Sequence, residues 1–336
     1  MNAQRPPLSK PDNAAPFWHA TALSLLIWST FCVGAAGAGA APAGAARLLA
    51  PPPSDVRPVA VFGSDDRTEL PAAILDELRD KIGVLSLGES NFCTAFCVAT
   101  DTIATASHCL LGTQEQAGPD LSRVVFNVGG KDMHRHSSGL AGSPRTGFHR
   151  AIRAGTSALR VRPPIAAERD WALARLAAPV CMAGGLPISR LTRNEIEVRA
   201  AGSKVYQVGM HRDVSADRLV IGAVCGMARG FAQAHEDTIA LDFANADAIL
   251  LHTCDTGLGS SGSPMLTDGA SGPEVVGINV GTYVISPAAA NPSSGTQAGA
   301  KALTEAIANT AVPAGQFRRA VADFASATSS LRARAP

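Results

Sequence analysis

Short alternations of apolar and polar residues, each broken by turn-forming residues, run along most of the chain. Ile82-Gly83-Val84-Leu85-Ser86-Leu87 reads as a first strand, and residues 94–99 and 102–106 read as two more that meet at the polar turn Thr100-Asp101. Further strands are predicted at 124–128, 159–161 (ended by Pro163-Pro164), 172–176, 205–209 and 219–225. Residues 238–242, 249–254, 274–283 and 305–311 complete the set. A strand with one face on a core needs apolar side chains only at every second position, and that period of two dominates here. Helical signals are few. Residues 71–80 suggest a short helix, and Pro313 is placed to begin a last one, on which Phe317, Val321 and Phe324 recur at i, i+4 and i+7 as a docking stripe. Many short strands between turns predict an all-β sandwich or barrel rather than a parallel α/β sheet.

Composition narrows the function classes. The chain has 336 residues, enough for one large or two modest domains, with 32 Gly, 22 Pro and few aromatics. A net charge of +1 gives no reason to invoke nucleic acid or a charged membrane surface. No solenoid repeat, P-loop or dinucleotide fingerprint is present. The first residues read as an export signal over 1–45. Arg5 and Lys10 precede the apolar core Ala22-Leu23-Ser24-Leu25-Leu26-Ile27-Trp28, and Ala38-Gly39-Ala40 or Ala43-Gly44-Ala45 offers small residues for cleavage. A retained anchor is the rival, because the uncharged run is long enough to span a bilayer, although its second half is only Ala and Gly. Residues 46–58 read as a linker or pro-segment, and 328–336 as a tail. Of seven cysteines, signal removal discards Cys32 and leaves six, an even number that suits disulfides in an exported chain.

Candidate chemistry centres on His252-Thr253-Cys254-Asp255-Thr256-Gly257-Leu258-Gly259-Ser260-Ser261-Gly262-Ser263-Pro264-Met265-Leu266. Gly259 and Gly262 free the backbone on both sides of a serine pair, and Pro264 fixes the exit into a strand. Such a turn can present a hydroxyl beside converging backbone N–H groups, as acyl transfer requires. The same residues also suit an ordinary Gly/Ser hairpin loop. Gly-Ser-Ser-Gly-Ser-Pro resembles the nucleophile loop of chymotrypsin-fold, trypsin-like serine proteases. The resemblance implies Ser261 as nucleophile, with the N–H groups of Gly259 and Ser261 as oxyanion hole.

Two further segments resemble the same family, in the order His, Asp, Ser. Thr105-Ala106-Ser107-His108-Cys109 is similar to its histidine motif, with Ser107 in place of the usual second alanine, and implies His108 as base. Arg169-Asp170-Trp171-Ala172-Leu173-Ala174 is similar to its aspartate motif, and implies that Asp170 orients the imidazole. The family also implies a Cys93–Cys109 bridge that staples the histidine turn. Cys225 and Cys254 lie on strands that would be neighbours in the second barrel and are paired on that ground, which leaves Cys97 with Cys181. Val59-Ala60-Val61-Phe62-Gly63-Ser64-Asp65-Asp66-Arg67 resembles the mature start of bacterial glutamyl-endopeptidase-like secreted members.

The resemblance therefore implies two six-stranded antiparallel Greek-key barrels, about 80–185 and 195–312, and a C-terminal helix at about 313–327. Together they form a protease domain over 59–325. It further implies that Val280, Gly281 and Thr282 pair with an extended peptide, and that Asp255, Thr256 and Asn279 line the specificity pocket. Asp255 stands where trypsin-like enzymes place the acid that binds Arg or Lys. Gly257 replaces an expected cysteine, and Asn279 stands where Glu-cleaving members carry histidine, so primary specificity stays open. Ser260 replaces the aspartate that receives a new N-terminal ammonium in trypsin-like zymogens, so no switch of that kind is expected.

No cofactor and no metal are expected. His134, His136 and His149 have no Cys or carboxylate at ligand spacing, and His252-Thr253-Cys254 has no partner ligands. The partner expected is a protein or peptide substrate, with no nucleic acid and, after signal cleavage, no membrane, and the protein itself is expected to be a monomer. The alternatives are a catalytically silent exported binding module on the same fold and a membrane-tethered protease.

Overall fold

Alternating sequence and frequent turns give the antiparallel sheet that the pattern predicts. The computed structural model describes residues 46–49, 60–62, 64–129, 136–222, 236–285 and 305–332. In chain order the strands are β1 (Ala46–Leu49), β2 (Arg67–Glu69), β3 (Ile82–Leu87), β4 (Ser90–Ala99) and β5 (Thr102–Thr105). Next come β6 (Val124–Val128), β7 (His136–Gly139), β8 (Ile152–Ala154), β9 (Ala172–Arg175) and β10 (Val205–His211). The last are β11 (Ser215–Gly222), β12 (Leu250–His252), β13 (Pro264–Gly269), β14 (Gly272–Ile285) and β15 (Glu305–Pro313). The helices are α1 (Ala72–Leu78), α2 (His108–Leu111), α3 (Arg193–Ala201), α4 (Glu236–Asp242) and α5 (Ala314–Arg332).

One sheet has seven strands in the order β7-β6-β3-β4-β5-β9-β8. Just beyond β7 the chain returns to β9 through a Leu140–Leu176 bridge, with Ala141 N donating to Arg175 O at 2.7 Å, and this rolls the sheet into a barrel. The other sheet has eight strands, β12-β15-β14-β13-β10-β11-β2, with β1 added against β14. Setting aside β8 in the first sheet and β1 and β2 in the second leaves the six strands expected of each barrel. The largest apolar cluster draws Ile82, Phe96 and Leu173 from the first sheet and Leu266, Ile278 and Val312 from the second, so the halves share one core.

The chain crosses between the halves at both ends. Before entering the first barrel it contributes β2 to the second sheet, where Arg67 pairs with Gly222. After the second barrel α5 buries Phe317 and returns to the first, where the Arg175 guanidinium lies 4.9 Å over the Phe324 ring and donates to Phe324 O at 2.9 Å. Pro313 ends β15 rather than beginning the helix.

Besides β1, which lies in the stretch expected as a linker, and β7 and β8, which the alternation does not announce, local pattern fails in three places. Residues 238–242, expected as a strand, lie in α4, where Ile239 and Phe243 face the core four apart while Leu241 is exposed; so short an apolar run suits either period. Leu159 is buried but makes only an isolated bridge to Thr113. Helix α3 went unpredicted although Thr192 and Glu195 form a capping box at its start, because it buries little beyond Ile196 and Ala200. Among the described residues no helix is long and apolar enough to cross a membrane.

Candidate active site

His108 opens the single turn of α2, which the Cys93–Cys109 disulfide ties to β4. Asp170 follows a 3-10 turn at Ala167–Arg169 and leads into β9, which pairs with β5. That pairing delivers the carboxylate beneath the imidazole. His108 Nδ1 lies 2.6 Å from Asp170 Oδ2, while Ser107 Oγ and His108 N donate to Oδ1 at 2.7 and 2.9 Å. A carboxylate can only accept, so Nδ1 carries the proton and Nε2 is left basic. Asp170 is fully buried. Burial alone would push its carboxyl up, but the facing imidazole, with the hydrogen bonds from His108 and Ser107, holds it below the ordinary carboxylate value.

Ser261 sits in the loop between β12 and β13, where Gly259 and Gly262 take φ of +92° and +84°. At Gly262 a Cβ would meet Thr105 Oγ1 at 2.1 Å and Thr94 O at 2.2 Å, so close approach to the first barrel requires glycine there as well. Gly262 N donates to Asn279 O and Asn279 N to Ser263 O, at 2.8 and 2.9 Å, which ties the loop to β14. Ser261 Oγ donates to Val280 O at 3.1 Å, and no hydrogen bond joins it to His108 among the described residues. Imidazole and loop are nonetheless neighbours, since Cys109 Sγ lies 3.8 Å from both His108 Nε2 and Ser261 O. The N–H groups of Gly259 and Ser261 donate to no protein acceptor among the described residues. His108, Gly259 and Leu258 border a cleft of ≈ 320 Å³ that runs past Phe92 and Leu87 to Arg212.

The residues expected to line the specificity pocket are engaged elsewhere. Asp255 is buried, and its two oxygens accept from Phe62 N at 2.8 Å and Asp66 N at 3.1 Å. It therefore does not stand free to bind a basic side chain; it anchors the segment before β2, whose Ala60 O also accepts from Thr256 N at 3.1 Å. Asn279 donates from Nδ2 to Ser260 O at 3.0 Å and accepts from His252 Nε2 at 3.1 Å. The side chains of Thr256 and Thr282 both donate to Asn309 Oδ1, at 3.1 and 2.6 Å. The side chains of Asn279, Thr256 and Thr282 thus tie the loop, β14 and β15 together. The main-chain carbonyl of Val280 faces the nucleophile, while Gly281 O accepts from Thr310 Oγ1 at 2.9 Å on the β15 side and Thr282 stands opposite Leu49 of β1.

Other expectations resolve directly. Cys97 is bonded to Cys181; Cys225 lies outside the described residues, and Cys254 is disulfide-bonded. His134 is also outside them. Cys93, His108 and Cys109 have donor atoms within 4.8 Å of one another, but the two sulfurs are bonded to each other and offer no thiolate to a metal. Burial pushes the His252 imidazole down to a pKa of about 4, against the raising effect of its hydrogen bonds to Asn279 and Thr310, so it is neutral at ordinary pH.

Sequence reasoning missed three side chains. The Ser107 hydroxyl is the third donor on Asp170, and its signal was a serine where the resemblance led one to expect alanine. Thr94 binds the nucleophile loop from β4. Arg67, buried beside His211, pairs with Asp65 and Asp213 at 2.8 and 2.7 Å. There the guanidinium packs on Gly257, where a Cβ would meet Arg67 Nη1 at 2.5 Å.

The sequence model of the trypsin family matches residues 78–297. Among solved structures, a Glu endopeptidase in complex with MPD is 16% identical with a TM-score of 0.48, the match covering 78% of this chain and 99% of that one. The VesB protease of Vibrio cholerae is 12% identical with a TM-score of 0.45, covering 76% of this chain and 66% of that one. No curated protein matches the chain.

Proposed function

Because this chain belongs to the trypsin family of serine endopeptidases, we propose that it cleaves peptide bonds through Ser261, His108 and Asp170, as an exported enzyme whose protease domain is residues 59–325. Ser261 Oγ turns from Val280 O to His108 Nε2 and attacks the scissile carbonyl as the imidazole takes its proton. Asp170 stabilises the imidazolium, and the N–H groups of Gly259 and Ser261 hold the developing oxyanion. The imidazolium then protonates the leaving amine, and water, activated by His108, hydrolyses the acyl-enzyme. The main chain at Val280–Thr282 receives the substrate strand. With Asp255 and Asn279 engaged internally, primary specificity rests on pocket shape and backbone contacts rather than on a charge for Arg or Lys.

One observation carries the reading: the 2.6 Å contact between His108 and a buried Asp170 beneath a loop whose two N–H groups lack protein acceptors. Export and monomeric action on a protein or peptide substrate are part of the same proposal. The Cys93–Cys109 and Cys97–Cys181 disulfides and the apolar stretch near the start support export. A fluorophosphonate probe should label the protein at Ser261 and fail on Ser261→Ala, with ester hydrolysis falling by ~10⁶. A folded wild-type protein that resists the probe would replace this reading with that of a silent binding module.

A further inference from the structure

Thr94 lies on β4 in the first barrel, fully buried and far in sequence from the nucleophile loop. Its main-chain N–H donates to Ser261 O at 2.9 Å, and its hydroxyl donates to Gly259 O at 2.8 Å. The same hydroxyl accepts from Met210 N at 2.9 Å, so its donor direction is fixed and it cannot swing away without leaving a buried N–H unpaired. Its carbonyl in turn accepts from Thr105 Oγ1 at 2.7 Å. One residue of the first barrel thus binds both residues of the second whose N–H groups face the reacting carbonyl.

Gly259 makes this contact consequential. At φ +92° it has unusual freedom, and rotation of its flanking peptides would turn the N–H away from the oxyanion. The carbonyl of Gly259 is held by Thr94, and Met210 Cε fills the space beside its Cα, 2.1 Å from where a Cβ would be. We propose that Thr94 is a positioning residue whose hydroxyl pre-organises the oxyanion hole across the junction of the two barrels, holding the peptide that follows Gly259 while Arg212 N holds Leu258 O of the peptide before it at 2.9 Å. This rests on Ser261 acting as the nucleophile. Its weight falls on the transition state, because the ground-state carbonyl does not require a fixed donor while the oxyanion does.

Thr94→Ser keeps the hydroxyl and Thr94→Ala removes it, and neither overfills the site. Both would be prepared in the full chain and compared for ester hydrolysis, peptide hydrolysis, thermal unfolding and affinity for a peptidyl boronic acid, whose tetrahedral adduct places an oxygen in the oxyanion hole. T94S should retain activity within about twofold. T94A should lose ~10- to 100-fold in kcat, below the ~10²–10³ seen when a donor is removed outright, with KM nearly unchanged. Boronate affinity should fall in the same proportion, while affinity for the cleaved peptide product should not.

Equal kcat in T94A and T94S overturns the proposal, as does a T94A loss confined to KM or matched by product affinity. If T94A does not fold, Thr94→Val takes its place in the comparison. If neither folds while T94S does, the hydroxyl serves stability alone and the proposal fails. A wild-type protein that binds no boronate and hydrolyses no ester would instead sink the hydrolase reading, independently of Thr94.

Discussion

Asp170 balances a large desolvation cost against an imidazole and two further donors, and the donors win. The sign of the resulting linkage is fixed. Its native pKa lies below the unfolded value of about 3.9, so its stabilising contribution is complete above that value and is lost as pH falls through the native one. The difference in urea-unfolding free energy between wild type and Asp170→Asn should therefore be flat above about pH 5 and shrink below about pH 4. Activity of the variant should drop ~10⁴-fold near neutrality, because asparagine favours the wrong tautomer of His108. A difference that grew on acidification would contradict the assignment. At this scale the sequence was legible where chemistry and local motif coincide, as in the contact between His108 and Asp170. It was opaque where a side chain's partner is remote: nothing near Asp255 announces Phe62 N, and Thr94 and Gly259 are 165 residues apart.

Strands were readable because burial on one face writes an alternation into the sequence, and α4 was misread because its run is too short to show which period applies. Pairing partners left no such trace. Along one edge of β14, β13 reaches Ile278, the nucleophile loop meets Asn279, and β1 begins at Thr282. Only the main chain at Val280 stays open between them, Gly281 being paired with Thr310 of β15, so an extended substrate must displace β1 to pair with Thr282. A short ester need not. Replacing both Leu48 and Leu49 by proline removes the N–H groups of β1 opposite Tyr283 and Thr282. KM for peptides extended on the acyl side should then fall about threefold or more, with ester kinetics unchanged. Equal KM values before and after would show that β1 does not compete for that edge.

Across the whole molecule, Arg67 carries a buried charge that ties the start of β2 to Asp65 and Asp213. Its guanidinium packs on Gly257, two residues before Gly259. Arg67→Gln should cost about 2 kcal/mol in urea unfolding, less than the ~3–5 for a fully buried pair, because Asp65 and Asp213 keep some water. Stability unchanged within error would show that the pair contributes nothing net. The sequence signalled two barrels through resemblance, but not the crossings at either end. Those crossings mean that neither half is whole by itself: the portion before Ala183 holds a strand belonging to its neighbour, and the portion after Gly184 holds a helix whose Phe324 reaches Arg175 of the other. Two polypeptides divided at that point would each carry the missing part of the other, so complementation between fragments is built into the path of the chain.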